Sequence, residues 1–255
     1  MRVVGLHSDV LVATSRFWQT TCTIVRHGDE GFVIDSPVLP DELEVLPAIV
    51  EQADFPVSGL LATHGDWDHL LGRYAFPGAA LGVPETTAAR LRGEPGAAQR
   101  ELREFDDEHY VERPGPLSLG DVQALPVPGY LDIGEASMEL HPADGHTPDG
   151  MAIWLPWAKV LVAGDYLSPV EIPWLSPGGS RDAYLATLRR LQPLVEQADH
   201  VVPGHGAVLD PARALAILRE DVAYLEGLPD SSLPLARRTG AQRKIHDSNV
   251  KMIAS

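Results

Sequence analysis

Cysteine is nearly absent from this sequence: Cys22 is the only one among 255 residues. That excludes a disulfide framework and a cysteine-rich zinc module, and it leaves Cys22 to be read as a small buried hydrophobe. Basic residues are scarce too. Twenty Lys and Arg stand against 36 Asp and Glu, a net charge of −16. Phosphate binding needs a basic face, so the composition argues against a nucleic-acid partner. No apolar run approaches the roughly 18 residues needed to span a bilayer, so no membrane partner is expected. The opening MRVVGLHSDV is broken by His7, Ser8 and Asp9. It lacks the apolar stretch of a secretory leader, and the expected location is the cytoplasm. There is no fixed-period repeat, low-complexity tract or linker between unlike halves. The chain therefore reads as one domain over 1–255, with a core at about 10–210 and a C-terminal helix and tail over 211–255.

What is present is an ordinary globular mixture, 44% apolar and 22% charged, sufficient for a sizeable core. Short β-branched runs bounded by turn residues predict strands at 10–14, 22–26 and 31–35, with a hairpin loop at His27–Gly31. Leu43, Leu46, Ile49 and Val50 recur at helical spacing over 40–53, although Pro47 interrupts that pattern. Further strands are expected at 57–63, 79–83, 122–127, 136–143, 151–156, 159–165 and 200–203. A helix is expected at 84–92, and a helix plus a surface excursion over 93–116. Ser180 reads as the N-cap of a helix over 182–198, and Asp210-Pro211 as N-cap and first turn of another. The tail 231–255 is the only basic stretch, with Arg237, Arg238, Arg243, Lys244 and Lys251.

The densest polar cluster is His64-Gly65-Asp66-Trp67-Asp68-His69, directly after an apolar strand. Successive strand residues point to opposite faces, so a cluster that converges must be a turn at the strand's end. Three more sites share that design: Gly145-His146-Thr147-Pro148, Gly164-Asp165 and Pro203-Gly204-His205-Gly206 each set a His or Asp beside Gly at the mouth of a strand. A solvated acidic turn with incidental histidines would not explain four such places.

THGDWDH resembles the H-x-H-x-D-H signature of the metallo-β-lactamase superfamily. GHTPDG, VLVAGD and PGHG resemble its later motifs, in order, and Asp35 in FVIDS is similar to a recurrent structural aspartate. The resemblance implies an α/β fold, an αββα sandwich with the site along one edge between two sheets. It also implies one divalent ion held by His64, Asp66 and His146, a second by Asp68, His69 and His205, and Asp165 bridging them. Zinc is the metal expected first. Asp66 stands where the signature has its second His, and carboxylate is a harder, charged ligand than imidazole. With Asp66, Asp68 and Asp165 among the ligands, the site tilts toward Mn or Fe alongside Zn.

Activity of the glyoxalase-II-like or lactonase-like kind is what the motifs resemble most closely. It is hydrolysis of a thioester, lactone or related ester by metal-activated water, with Asp68 and Asp165 orienting that water and taking its proton. Trp18, Trp67, Tyr166 and Trp174 flank the expected mouth and are candidates for a substrate wall. Phosphodiester cleavage, diiron redox chemistry, β-lactam hydrolysis and a non-catalytic metal-binding module are the competing readings. His7, His27, His109, His141 and His200 lack motif context; His246, in an H-x-x-N string, reads as structural.

Overall fold

The structure, a computed structural model, describes residues 1–254. One sheet runs in chain order through β1 (Arg2–His7), β2 (Val10–Thr14), β3 (Thr21–His27), β4 (Glu30–Ile34), β5 (Gly59–Leu61), β6 (Leu81–Pro84) and β7 (Val122–Leu125). Its pairing is antiparallel up to β4 and parallel thereafter. The other sheet lies in the order β12 (His200–Pro203), β11 (Val160–Gly164), β10 (Met151–Leu155), β9 (Ala136–Pro142) and β8 (Gly129–Ile133). Only its β11–β12 pair is parallel.

Period-two alternation decides which residues enter which layer. In β11, Val160 and Val162 face the other sheet, where they meet Val12, Val25, Ile34 and Leu61. Leu161 and Ala163 face outward, beneath α5 (Arg181–Gln197) and α6 (Pro211–Gly227), whose Leu188, Leu191, Ile217 and Leu225 complete that layer. Across the molecule, Cys22, Ile24 and Val33 turn outward to α1 (Pro40–Gln52) and α4 (Ala97–His109) through Leu43, Leu46, Leu102 and Phe105. Helices cover both outer faces, so the αββα sandwich expected above is the fold. The short α2 (Gly72–Ala75) and α3 (Glu85–Gly93) belong to the same half as α1 and α4.

Local signals operate as their chemistry requires. Ser180 Oγ accepts from Ala183 N at 3.4 Å, and Asp210 Oδ1 accepts from Arg213 N at 2.8 Å. Helix α1 continues through Pro47 rather than breaking there. Four named elements had no counterpart in the sequence reading: β1, β8, the single-turn α2 and α7 (Gly240–Ala254). Among the described residues no helix is long and apolar enough to cross a membrane.

The segment leading into α7 is fastened by Arg237, one of the basic residues of the tail. Its side chain is fully buried. Nη1 donates to Asp221 Oδ1 at 2.6 Å and to Glu171 O at 2.8 Å, while Nη2 reaches Glu220 Oε2 at 3.1 Å. Burial pushes the Asp221 carboxyl up to about 7 against the lowering pull of Arg237. Asp221 left alone can therefore take up a proton, whereas a buried guanidinium cannot shed one. Removing one partner of a buried pair costs roughly 3–5 kcal/mol. Asp221→Leu is expected at the upper end of that range and Arg237→Leu at the lower end, and the double substitution should recover much of the loss. Urea denaturation of the three variants measures this, and equal single costs would refute the asymmetry.

Candidate metal centre

Strand ends assemble the site. β5 leads through Ala62 and Thr63 to His64, the cluster turns through a short 3₁₀ segment (Trp67–His69), and the β9–β10 connection carries His146. β11 and β12 are parallel with Gly164 opposite Pro203, so Asp165 and His205 emerge side by side. Gly204 must be glycine here, because a Cβ would collide with Asp165 Oδ1.

All seven expected ligands converge. Donor atoms of His64, Asp66 and His146 lie within 4.8 Å of one another, as do those of Asp68, His69 and His205, and those of His64, His69 and Asp165. Asp165 joins the two ends: Oδ2 lies 3.7 Å from His64 Nε2, 3.4 Å from His146 Nε2 and 3.3 Å from His205 Nε2, and Oδ1 lies 3.2 Å from His69 Nε2.

Each imidazole is oriented through its other nitrogen. His146 Nδ1 contacts Trp174 O at 2.8 Å, His205 Nδ1 contacts Trp18 O at 3.3 Å, His64 Nδ1 contacts Thr63 Oγ1 at 3.0 Å, and His69 Nδ1 lies 3.1 Å from Asp35 Oδ2. In the neutral ring the acceptors beside His64, His146 and His205 take the Nδ1 proton, which turns the Nε2 lone pair inward as ligation needs, while His69 Nδ1 faces the Asp35 carboxylate without a formed hydrogen bond. Correspondingly, His64 Nε2, His69 Nε2, His146 Nε2 and Asp165 Oδ1 are buried without a hydrogen-bond partner among the described residues. Buried polar atoms are rarely left so; four aimed into one space fit a divalent cation.

Of the expected substrate wall, Trp18, Trp67 and Trp174 border a cavity of about 360 Å³ that opens on Asp66, Asp68, Asp165 and His205. Trp18 and Trp174 are 45% and 39% exposed, and Trp18 packs on Trp67 with ring centroids 5.6 Å apart. Tyr166 does not belong to that wall. It is 2% exposed, its ring centroid lies 4.5 Å from that of Tyr184, and its hydroxyl accepts from His146 N. With Asp165 turned into the site, the next residue is directed into the outer core.

Sequence reading missed other contributors. Gln242, Lys244 and Ile245 of α7 also line the cavity, as do Glu101 and Glu171. Arg90 of α3 places Nη1 2.8 Å from Asp66 Oδ1 and 2.9 Å from Asp149 Oδ1. Nothing near residue 90 in sequence marks it out. His246 contacts Tyr224 Oη at 3.0 Å, and Asn249 accepts from Leu175 N at 2.9 Å, so the H-x-x-N string fastens α7 to the core.

The comparisons with known proteins agree with this geometry. Residues 15–205 match the family model described as the metallo-beta-lactamase superfamily, and the chain belongs to that superfamily. It is thus a metal-binding hydrolase by descent. It is 26% identical over 202 residues to a metallo-beta-lactamase type 2 of Bacillus sp. (strain 170), covering 76% of this chain and 70% of that protein. A metallo-beta-lactamase type 2 of Bacillus cereus is 23% identical over 194 residues, covering 73% of this chain and 67% of the relative. Among solved structures, a metallo-beta-lactamase family protein from Thermus thermophilus superposes with a TM-score of 0.67 at 21% identity, over 88% of this chain and 83% of that one. The DIM-1 metallo-beta-lactamase exposed to ceftazidime superposes with a TM-score of 0.64 at 18% identity, over 88% and 96%. At those identities the superpositions show the fold alone.

In the metal-free protein the site's carboxylates draw protons onto its imidazoles. Burial disfavours a charged His146, but Asp66 and Asp165 outweigh it and lift the group to about 9. For His205 burial is likewise outweighed by Asp165 and Glu171, and the group rises to about 10. Ligation needs the neutral ring, so a metal must displace these protons. Zinc uptake near neutral pH is therefore expected to release protons, with affinity climbing as pH rises toward about 9–10. Titration calorimetry in two buffers of different ionisation enthalpy counts them. A pH-independent affinity with no proton release would show that the rings are already neutral.

Proposed function

We propose that the protein hydrolyses a small, largely apolar carbonyl compound: a thioester, a lactone or a related ester. The observation that carries this reading is the tryptophan-lined cavity opening directly on the His/Asp cluster. Trp18, Trp67, Trp174 and Ile245 offer an apolar surface to an acyl chain or ring, as small-molecule sites generally do. Glu101 and Glu171 line the same cavity, and burial raises both carboxyls. With Asp66, Asp68 and Asp165 at its floor and Lys244 its only lysine, the cavity disfavours an anionic phosphodiester.

His64, Asp66 and His146 would hold one divalent ion, and Asp68, His69 and His205 a second, with Asp165 between them; zinc suits the imidazoles, and Mn or Fe suits the carboxylates. When bound, such ions supply Lewis acidity toward the carbonyl and lower the pKa of water. The chain's own residues do the rest. Asp35, Thr63, Trp18 O and Trp174 O fix the imidazole rings through Nδ1. Asp68 and Asp165, each bordering the cavity, orient the attacking water and accept its proton. The indoles keep bulk water from the acyl group.

A second reading, β-lactam hydrolysis, rests on the relatives named metallo-beta-lactamase type 2. A panel at equal metal loading separates the possibilities. Thioesters and lactones are expected to turn over faster than penicillins, cephalosporins, bis-p-nitrophenyl phosphate or single-stranded DNA. Dominant β-lactamase or phosphodiesterase activity would reverse the assignment.

The ligand set has its own test. His69→Ala and His205→Ala should each abolish metal-dependent activity and lower the bound metal, because each removes a neutral nitrogen from the same trio. Retained metal content with wild-type turnover in either variant would remove that residue from the set.

A further inference from the structure

Behind Asp66 lies a polar cluster that takes no part in the cavity. Asp149 is buried, and its Oδ2 accepts from Gly65 N at 2.9 Å and from Thr87 Oγ1 at 2.6 Å. Its Oδ1 receives Arg90 Nη1 at 2.9 Å. Asp149 is thus fixed by three donors from two separate elements, and it fixes Arg90 in turn. The same Nη1 lies 2.8 Å from Asp66 Oδ1. That leaves Asp66 Oδ2 facing the imidazoles, 3.7 Å from His64 Nε2 and 3.4 Å from His146 Nε2. None of Arg90, Thr87 and Asp149 lines the cavity, so Arg90's direct contact with the cavity lining is Asp66, and its second route to the site runs through Asp149 and Gly65.

A free carboxylate differs from an imidazole as a ligand in two ways. It carries a full negative charge, and it can chelate with two oxygens instead of presenting one donor atom. A guanidinium held on Oδ1 acts on both. It occupies one oxygen, which prevents side-on chelation, and it draws negative charge away from the other.

We propose that Arg90 is a positioning residue that adapts Asp66 to a place where the superfamily's pattern has imidazole, by holding it to a single, attenuated oxygen donor. The proposal rests on the reading of Asp66 as a ligand. It makes the two residues a functional pair: Arg90 matters to the metal because residue 66 is a carboxylate. In an Asp66→His background the guanidinium has no ligand oxygen to restrain, and its remaining role is to brace Asp149.

The test is a cycle of four proteins: wild type, Arg90→Gln, Asp66→His and the double variant. Each is stripped of metal and titrated with zinc against a chromophoric chelator, with metal content and melting temperature recorded. A parallel set is loaded with cobalt(II), whose visible absorption weakens as coordination number rises. Arg90→Gln is expected to weaken zinc binding at least ~10-fold, in the range seen when groups orienting a ligand are removed. It should also reduce the cobalt absorption, as Asp66 becomes free to chelate. In the Asp66→His background the same substitution should change zinc affinity less than ~3-fold and leave the cobalt spectrum alone, well below the effect of removing an orienting group.

An equal loss of affinity in both backgrounds would overturn the proposal and make Arg90 a brace acting through Asp149. So would an unchanged cobalt spectrum in Arg90→Gln. If Arg90→Gln does not fold, Arg90→Lys enters the same cycle, since lysine keeps the charge but loses the planar fork. Asp66→Ala is the separate check on the ligand reading: unchanged metal affinity in that variant overturns the reading of Asp66 itself.

Discussion

The carboxylate of Asp35 is the constraint on which the rest of the site hangs. The backbone N–H of the same residue donates to Leu61 O at 2.8 Å, continuing the β4–β5 pairing one residue past the end of β4. The carboxylate oxygens accept from Thr63 N at 2.8 Å and Thr63 Oγ1 at 3.0 Å, and Oδ2 also faces His69 Nδ1 at 3.1 Å. Through Thr63 it reaches His64 as well. One buried acid therefore sets the angle of two imidazoles, one in each of the trios able to hold an ion. To do so it adopts a left-handed backbone, with φ at 60°, which costs a non-glycine residue about 1–3 kcal/mol.

That strain is not isolated. Trp18 and Gln19 have φ of 51° and 54°, and Leu167 has 62°. All lie in the turns that carry or support Asp165 and His205. Gly206 N donates to Gln19 O, and Ser168 Oγ donates to His205 O at 2.8 Å. The close-packed layers on either side of the sheets supply the rigidity that holds these turns in a conformation they would not choose alone.

Where sequence carried a local physical signal, it was legible. Runs of β-branched residues bounded by turn residues foretold β2 to β4, and apolar runs foretold β10 and β11. The caps at Ser180 and Asp210 marked α5 and α6. The Gly-flanked His and Asp motifs located every member of the cluster. What sequence hid are interactions with no local signature. β1 and β8 are sheet edges whose mixed polarity gives a weak period-two pattern. Helix α7 was masked by its charges, although Asn249 and Gln242 are buried and hydrogen-bond the backbone of Leu175 and Ile172. Arg90 on α3 looks like any solvated arginine until the fold brings it to Asp66. Tyr166 sits beside Asp165 in sequence yet faces the other way, since neighbours at a strand's end diverge.

Trp18 and Trp174 each serve the centre twice, with different atoms. Their carbonyl oxygens orient His205 and His146, while their indoles wall the cavity. A main-chain carbonyl survives any substitution of the side chain it belongs to. Exchanging either indole would thus reshape what the cavity admits and leave the acceptor that aims the imidazole in place. On the proposed reading, the shape of the cavity can change while the acceptors behind the imidazoles stay, and two homologues with the same His/Asp cluster and dissimilar walls are what such a division of labour would leave behind.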